Sequence, residues 1–451
     1  MRKFIFILFF IPFGVKAQQD SVQIASIFEH ILSAGECHDD LRVLCKNIGA
    51  RLSGSPAADK AILWGFETLK SLNPDTVFLQ DIEVPHWTRG NVERAVLNGK
   101  AGTKQLHICA LGGAVGTKGT IEAEVIMVKE FSELEALGRD QVEGKIVFYN
   151  RALNPVLINT GAAYGGAYDQ RSSGAIEAAK YGAVGTLVRS LTHALDTLPH
   201  TGAMNYEEGI DSIPAAAIST VDANYLSEQL KLDPNLKIAL ELSCERHPDR
   251  VQANVIAEIR GSEFPEEYIL VGGHLDSWDI GEGAHDDGAG IVQSIEVLRT
   301  YMALGIKPKH SLRIVLFINE ENGNRGGIGY AEAVKENNEE HLAALESDSG
   351  GFSPRGFNME GSDEQAATVR SWAELFEPYN IHLFRRGWSG VDIRPLKNDR
   401  ILLMGLVPDN QRYFDYHHSK NDVFESVHKR ELELGAAAMT SLIYLLDQYA
   451  P

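Results

Sequence analysis

Five groups of polar residues have the types and spacing to do chemistry. His274-Leu-Asp276 follows an apolar stretch, Tyr268-Ile-Leu-Val-Gly-Gly. Asp286-Asp287 sits in a glycine-rich turn, Gly283-Ala-His-Asp-Asp-Gly-Ala-Gly290. Glu320-Glu321 ends a second apolar run from Leu312, and Asp348 ends a third that spans 342–346. A last cluster, Tyr416-His-His-Ser-Lys-Asn-Asp422, lies near the C-terminus. Imidazole nitrogens and carboxylate oxygens are suitable ligands for Zn²⁺, and a pair of ions needs a carboxylate to share. Two adjacent glutamates at a strand end fit divided labour, one held by metal and one free to move a proton. Each group alone has a plainer reading. His274 could be a satisfied surface histidine, Glu320-Glu321 a solvated loop, and Asp286-Asp287 a helix cap beside turn-forming glycines. Their joint placement after β-like runs is what makes them hard to dismiss.

The elements that must position these groups are legible from periodicity. Apolar runs at 268–273, 312–319 and 342–346 alternate with helical patterns at 290–304 and 332–341. Such alternation predicts a largely parallel sheet covered by helices, in which ligands bind beyond the carboxyl ends of the strands. Upstream, Ile24, Ile27, Phe28 and Ile31 recur at helical spacing within a helical stretch over 22–75. Strands are expected at 77–84 and 92–97. From residue 112 to about 243 the chain becomes rich in Gly and Ala with short β-like runs at 120–128, 145–149, 185–188 and 214–218. Since helix and strand patterns flank this region on both sides, it reads as an insertion rather than a tandem domain.

Composition narrows the function classes. The 451 residues carry 42 Lys plus Arg against 62 Asp plus Glu, with no basic run, so a nucleic-acid-binding surface is not expected. Met1-Arg2-Lys3, an apolar segment over 4–15 and the small-x-small site Val15-Lys16-Ala17 form an export leader, residues 1–17. The apolar segment is too short to span a bilayer, and later ones are interrupted by charge, so no membrane span is expected. The product should be periplasmic or secreted. Cys37, Cys45, Cys109 and Cys244 are too few and scattered for a disulfide scaffold or a zinc clamp. Cys37 and Cys45 are too far apart to pair along a continuous helix, whereas Cys109 and Cys244 could pair only through tertiary contact.

The ordered set of motifs resembles the co-catalytic zinc exopeptidases of the M28 family over nearly the whole mature chain. Its landmarks are Val84-Pro-His-Trp-Thr-Arg-Gly90, Pro199-His-Thr-Gly202, the segments 272–279 and 283–290, Glu320-Glu321, Glu346-Ser-Asp348 and the segment 413–418. The resemblance implies a three-layer α/β/α peptidase domain built from 18–111 and 244–451, interrupted by a mainly β, protease-associated insert over 112–243. It implies two Zn²⁺ ions: His274 on one, Asp286 bridging, Glu321 on one ion, Asp348 on the other, and a terminal histidine. His418 is preferred over His417 because the family places that ligand before Ser or Thr, here Ser419. Side-chain alternation in an extended segment also argues against both rings facing the metals. Asp276 would orient the second ring nitrogen of His274, Glu320 would be the general base, and the Asp286–Asp287 peptide would be cis. Short peptides or dipeptides would be the substrates, and a homodimer is possible. The insert would wall the cleft, with His200 a candidate to face it. Two other readings share the fold: a one-metal glutaminyl cyclase and a peptide-binding module without catalysis.

Overall fold

The computed structural model describes residues 13–99 and 102–450, so the first twelve residues of the expected leader lie outside it. No helix among the described residues is long and apolar enough to cross a membrane. Two eight-stranded sheets organise the chain. In the larger, His310–Phe317, Phe264–His274, Glu340–Glu346 and Leu402–Pro408 lie side by side and parallel. The flanks depart from the expected parallel pattern. Thr76–Thr88 pairs antiparallel with Glu245–Ile259, which pairs antiparallel with His310–Phe317, and Pro354–Glu360 runs antiparallel to Leu402–Pro408.

The central strands are apolar throughout because both faces are covered. Ile269, Val271, Ile314, Leu316, Ala343 and Leu345 face one core, formed with the helices Phe13–Ala34, Pro56–Ser71, Ala289–Leu304 and Lys429–Tyr449. The alternate residues Leu270, Val315, Phe317 and Ala344 face another core, under the helix Arg325–Asn337. Three layers result, as expected. Local signals set the helix ends. Ser55 accepts the Ala58 N–H with Pro56 in the first turn, and Ala289–Leu304 stops at Gly305, whose φ is 61°.

The insert begins earlier than its composition indicates. The strand Thr76–Thr88 pairs to its last residue, Thr88 opposite Glu245, so the chain leaves a β-hairpin at residue 89 and returns at 244. Glu93–Gly99, Gly102–Leu106 and Ile108–Ala110 belong to the smaller sheet, not to the peptidase domain in which a boundary at 112 would place them. Gly and Ala are no scarcer in those strands than in the rest of the insert, so composition does not mark its start; strand pairing does. The insert also carries helices, among them Phe131–Val142 and Thr220–Leu232. Arg89 sits at the crossing point, nearly buried. It donates to Asp279 at 2.6 Å and Glu93 at 3.0 Å, so both domains share one cation. All four cysteines are free and buried.

The amphipathic reading of the first helix is met: Ile24, Ile27, Phe28 and Ile31 are all buried. Phe28 stacks on Tyr379 with ring centroids 3.6 Å apart, and Asp20 accepts the hydroxyls of Tyr444 (3.1 Å) and Tyr449 (2.5 Å) on the last helix. Phe28→Ala should therefore cost about 3–5 kcal/mol, the usual range for emptying a buried phenylalanine site. A denaturant midpoint equal to wild type would show that this helix is not part of the core.

Candidate metal centre

Three neighbouring strand ends deliver the polar groups. His274 is the last residue of its strand and lies opposite Phe317, so the turn holding Glu320 and Glu321 follows directly beside it. On the other side Gly272 lies opposite Glu346, which puts Asp348 just past the adjacent strand end. Asp286 arrives from the turn before the helix Ala289–Leu304, and its peptide bond to Asp287 is cis. Close approach is required here. A Cβ at Gly290 would collide with the Ser347 carbonyl and the Asp287 carboxylate, and Gly283 has φ 60° with Ser277 against it.

Asp286 is the centre of the arrangement. Its Oδ1 lies 3.3 Å from His274 Nε2, and its Oδ2 lies 3.2 Å from His418 Nε2. Asp348 Oδ1 is 3.8 Å from the same nitrogen of His274, and Glu321 Oε2 is 3.1 Å from that of His418. Both imidazoles are oriented alike. His274 Nδ1 is 3.0 Å from the Asp276 carbonyl, and His418 Nδ1 is 3.2 Å from the Thr201 carbonyl. A carbonyl only accepts, so each Nδ1 donates a proton, and each Nε2 is the nitrogen left to face Asp286 and a metal beside it.

Every residue expected at the site is there, but three of the physical reasons differ. His417 is also close, its Nε2 3.7 Å from Asp286 Oδ2 and its ring stacked on His418 at 3.5 Å. Side-chain alternation fails because the backbone is not extended: His418 has φ 59°. Asp276 orients His274 through its backbone carbonyl, while its carboxylate lies 3.8 Å away and accepts the Glu320 N–H at 3.0 Å. The glutamates lie in a turn beyond the strand, which stops at Phe317, rather than at its end. Glu321 is nearly buried, with Oε1 accepting the Trp278 N–H at 3.2 Å. The Glu320 side chain keeps 18% exposure, with Oε2 4.0 Å from His274 Nε2.

Several supporting roles were not read from the sequence, although Asp422, Asp287, His200 and Thr201 lie in motifs it singles out. Asp422 accepts three consecutive backbone N–H groups, those of Ala284, His285 and Asp286, at 3.1, 2.6 and 3.2 Å. Burial and the nearby Asp286 push its carboxyl up to about 7. Asp287 accepts the N–H groups of His274 and Gly290, so the helix-cap reading holds for it. Arg51, fully buried, donates to the carbonyls of Leu275 (2.6 Å), Glu282 (2.6 Å) and Gly283 (2.9 Å). The insert reaches in as well. Thr201 N–H donates to the His418 carbonyl at 2.9 Å, and His200 Nδ1 to that of His417 at 2.7 Å. Motif spacing cannot reveal such partners, since their donors and acceptors meet only through tertiary contact.

The group fits a divalent cation. His274 Nε2, Asp286 Oδ2 and Asp348 Oδ1 are buried and have no hydrogen-bond partner, which is costly unless something else satisfies them. His274, Asp286 and Asp348 offer atoms close enough to hold one ion, as do Asp286, His417 and His418. Burial would push the His274 imidazole down, yet Asp286 and Asp348 hold it well above the usual range. Burial pushes Glu320 and Glu321 well above ordinary carboxylates, and the Asp286 charge acts in the same direction on both. Such a cluster calls for positive charge. It opens on a cleft of ≈ 1000 Å³, lined from the insert by Tyr164 and Arg171 and from the opposite side by the loop 387–391. Glu346 positions that loop by accepting the N–H groups of Val391 (2.9 Å) and Ile393 (3.0 Å).

Comparison with known proteins bears on this geometry. The model of peptidase family M28 matches residues 254–443. Carboxypeptidase Q of Bos taurus is 35% identical over 410 residues, covering 91% of this chain and 84% of that protein. Carboxypeptidase Q of Xenopus laevis is 36% identical over 418 residues, with 92% and 87% covered. The solved structure of a peptidase M28 precursor from Shewanella amazonensis SB2B superposes with a TM-score of 0.91 at 32% identity, over 96% of this chain and 97% of that one. BSAP, a zinc aminopeptidase from Bacillus subtilis, has a TM-score of 0.65 at 18% identity, over 91% and 94%, a likeness of fold.

Asp422→Ala would strand three buried backbone donors, and an unsatisfied buried group costs about 1–3 kcal/mol. The metal-free protein should lose at least about 3 kcal/mol of stability, while Asp422→Asn, which keeps one accepting oxygen, should lose less. Unfolding of the alanine variant at the wild-type midpoint would show that Asp422 does not hold this turn.

Proposed function

The chain belongs to peptidase family M28, and on that premise we propose that it is a di-zinc exopeptidase that hydrolyses dipeptides or short peptides. Membership makes it a metallopeptidase. The observation that carries the finer reading is the Asp286 carboxylate, which turns one oxygen toward each of two imidazoles. His274, Asp286 and Asp348 would hold one ion; Asp286, Glu321 and His418 would hold the other. His418 is assigned over His417 because its Nε2 also faces Glu321 at 3.1 Å. Bound zinc supplies Lewis acidity, polarising a carbonyl and lowering the pKa of water.

The chain's own residues supply the rest. Glu320 is the more accessible of the paired glutamates and faces the cleft, so it takes the proton of the attacking water and returns it to the leaving amine. Asp276 fixes the start of the Glu320 turn through the Glu320 N–H and orients His274 through its carbonyl, which makes it a positioning residue. The insert and the 387–391 loop wall the cleft and favour small substrates over folded chains. Export of the mature enzyme belongs to the same proposal. The two complete half-sites argue against a one-metal cyclase, and the presence of Glu320 argues against a module without catalysis.

Glu320→Gln keeps size and shape but removes the proton acceptor. It should retain both zincs and lower kcat by at least about two orders of magnitude, the lower end of general acid–base contributions. Glu321→Gln should instead weaken zinc occupancy. Zinc stoichiometry and kcat measured on the same preparations separate these outcomes, and near-wild-type kcat in Glu320→Gln would rule out the base assignment. Chelation should abolish dipeptide turnover and added Zn²⁺ restore it; activity that survives complete metal removal would contradict the reading.

A further inference from the structure

A second cavity, of ≈ 610 Å³, adjoins the catalytic cleft. The two share Arg386, Gly387 and Trp388, but no residue of the metal centre lines the second one. Its size falls within the usual span of small-molecule sites, about 300–1,000 Å³. Met359 and Ile401, both buried, give it an apolar floor.

Most of the charged groups on its wall are already engaged. Lys397 donates to Glu360 Oε2 at 2.7 Å, while Glu360 Oε1 accepts the Ser389 N–H at 3.3 Å and its hydroxyl at 3.1 Å. Arg386 donates to Asp363 and to the Gly361 carbonyl, both at 2.6 Å. Arg394 and Asp399 are left over. The Arg394 guanidinium makes no hydrogen bond among the described residues, and its ion pair with Glu360 is a long 3.6 Å. The Asp399 carboxylate has no ion pair or hydrogen bond among them, not even with Arg394 on the same wall. Free charges on an open surface are solvated and mean little. These two instead share a cavity with an indole. Trp388 is 54% exposed, the most exposed of the five tryptophans, and Arg394 lies over its ring at 4.2 Å.

We propose that this cavity binds a free amino acid as its zwitterion, with the carboxylate on Arg394, the ammonium on Asp399 and an apolar side chain against Trp388, Met359 and Ile401. Both signs are needed for the argument. A site for a plain anion would not leave a carboxylate unpaired on its wall, because like charge weakens binding. A site for a plain cation would not leave a guanidinium unpaired there. The planar guanidinium suits a carboxylate, and its stacking on the indole holds it in one plane. Glu360 fixes the wall before any ligand arrives, since it ties Ser389 of the 387–391 loop to Lys397. An occupant would therefore sit against a loop whose other side walls the catalytic cleft. The claim concerns binding and does not rest on the peptidase reading.

The test measures affinity for three probes on the zinc-loaded full chain: L-phenylalanine, 3-phenylpropionate, which lacks the ammonium, and 2-phenylethylamine, which lacks the carboxylate. Calorimetry gives the constants, and quenching of tryptophan fluorescence reports contact with Trp388. Wild type should bind phenylalanine about tenfold or more tighter than either analogue, the scale of one hydrogen bond to a charged group. Arg394→Met should bring phenylalanine down to the level of 2-phenylethylamine, and Asp399→Asn down to that of 3-phenylpropionate. Both side chains are exposed, so neither change empties a core, and each variant checks the other. Phenylalanine affinity unchanged in both variants would place the ligand elsewhere, the metal centre included, and would overturn the proposal. An analogue that binds wild type as tightly as phenylalanine would overturn it, as would no binding of phenylalanine. A chain that binds phenylalanine in this way yet turns over no dipeptide would count against the peptidase reading and leave this site standing.

Discussion

The structure depends on holding one buried carboxylate, that of Asp286, between two imidazoles whose Nε2 atoms face it. Few arrangements are less favourable without a cation: Glu320, Glu321 and Asp348 stand around it, and burial weakens solvent screening of all four. The scaffold therefore fixes the backbone rather than the side chain. Asp422 gathers three N–H groups of the turn, Arg51 clamps the carbonyls before it, and Asp287 ties it to the His274 strand and the helix that follows. Glycines at 283 and 290 let this turn approach elements that a side chain would push away.

The insert takes part in this restraint. Thr201 and His418 exchange hydrogen bonds in both directions, Thr201 N–H to the His418 carbonyl and His418 Nδ1–H to the Thr201 carbonyl. Tyr164 packs edge-on against His417 at 5.2 Å and face-on against Phe414 at 4.6 Å. Docking of the insert and orientation of His418 are therefore one event. A domain that starts as the turn of a β-hairpin, at residues 89–244, returns over the sheet to complete the site whose strands it interrupts.

Much of this was legible in the sequence because it rests on local patterns. Alternating apolar runs located three of the four parallel central strands, Leu402–Pro408 being missed, helical periodicity located the first helix and its buried face, and polar groups near strand ends located the site. Family resemblance then allotted the roles within it. Other features arise only in three dimensions. The proximity of His417 follows from one left-handed residue, His418, in a segment taken to be extended. The start of the insert depends on strand pairing rather than on a change in composition. Arg51, Asp422 and Thr201 act on backbone groups far away in the chain, so no spacing rule finds them.

The central claim is that Asp286 is shared between two ions. Anomalous diffraction at the zinc edge from crystals of the zinc-loaded protein tests it directly. The account predicts two zinc peaks flanking Asp286, one beside His274 and Asp348 and the other beside Glu321 and His418. A single fully occupied peak under saturating zinc, or an Asp286 carboxylate turned away from both ions, would contradict it.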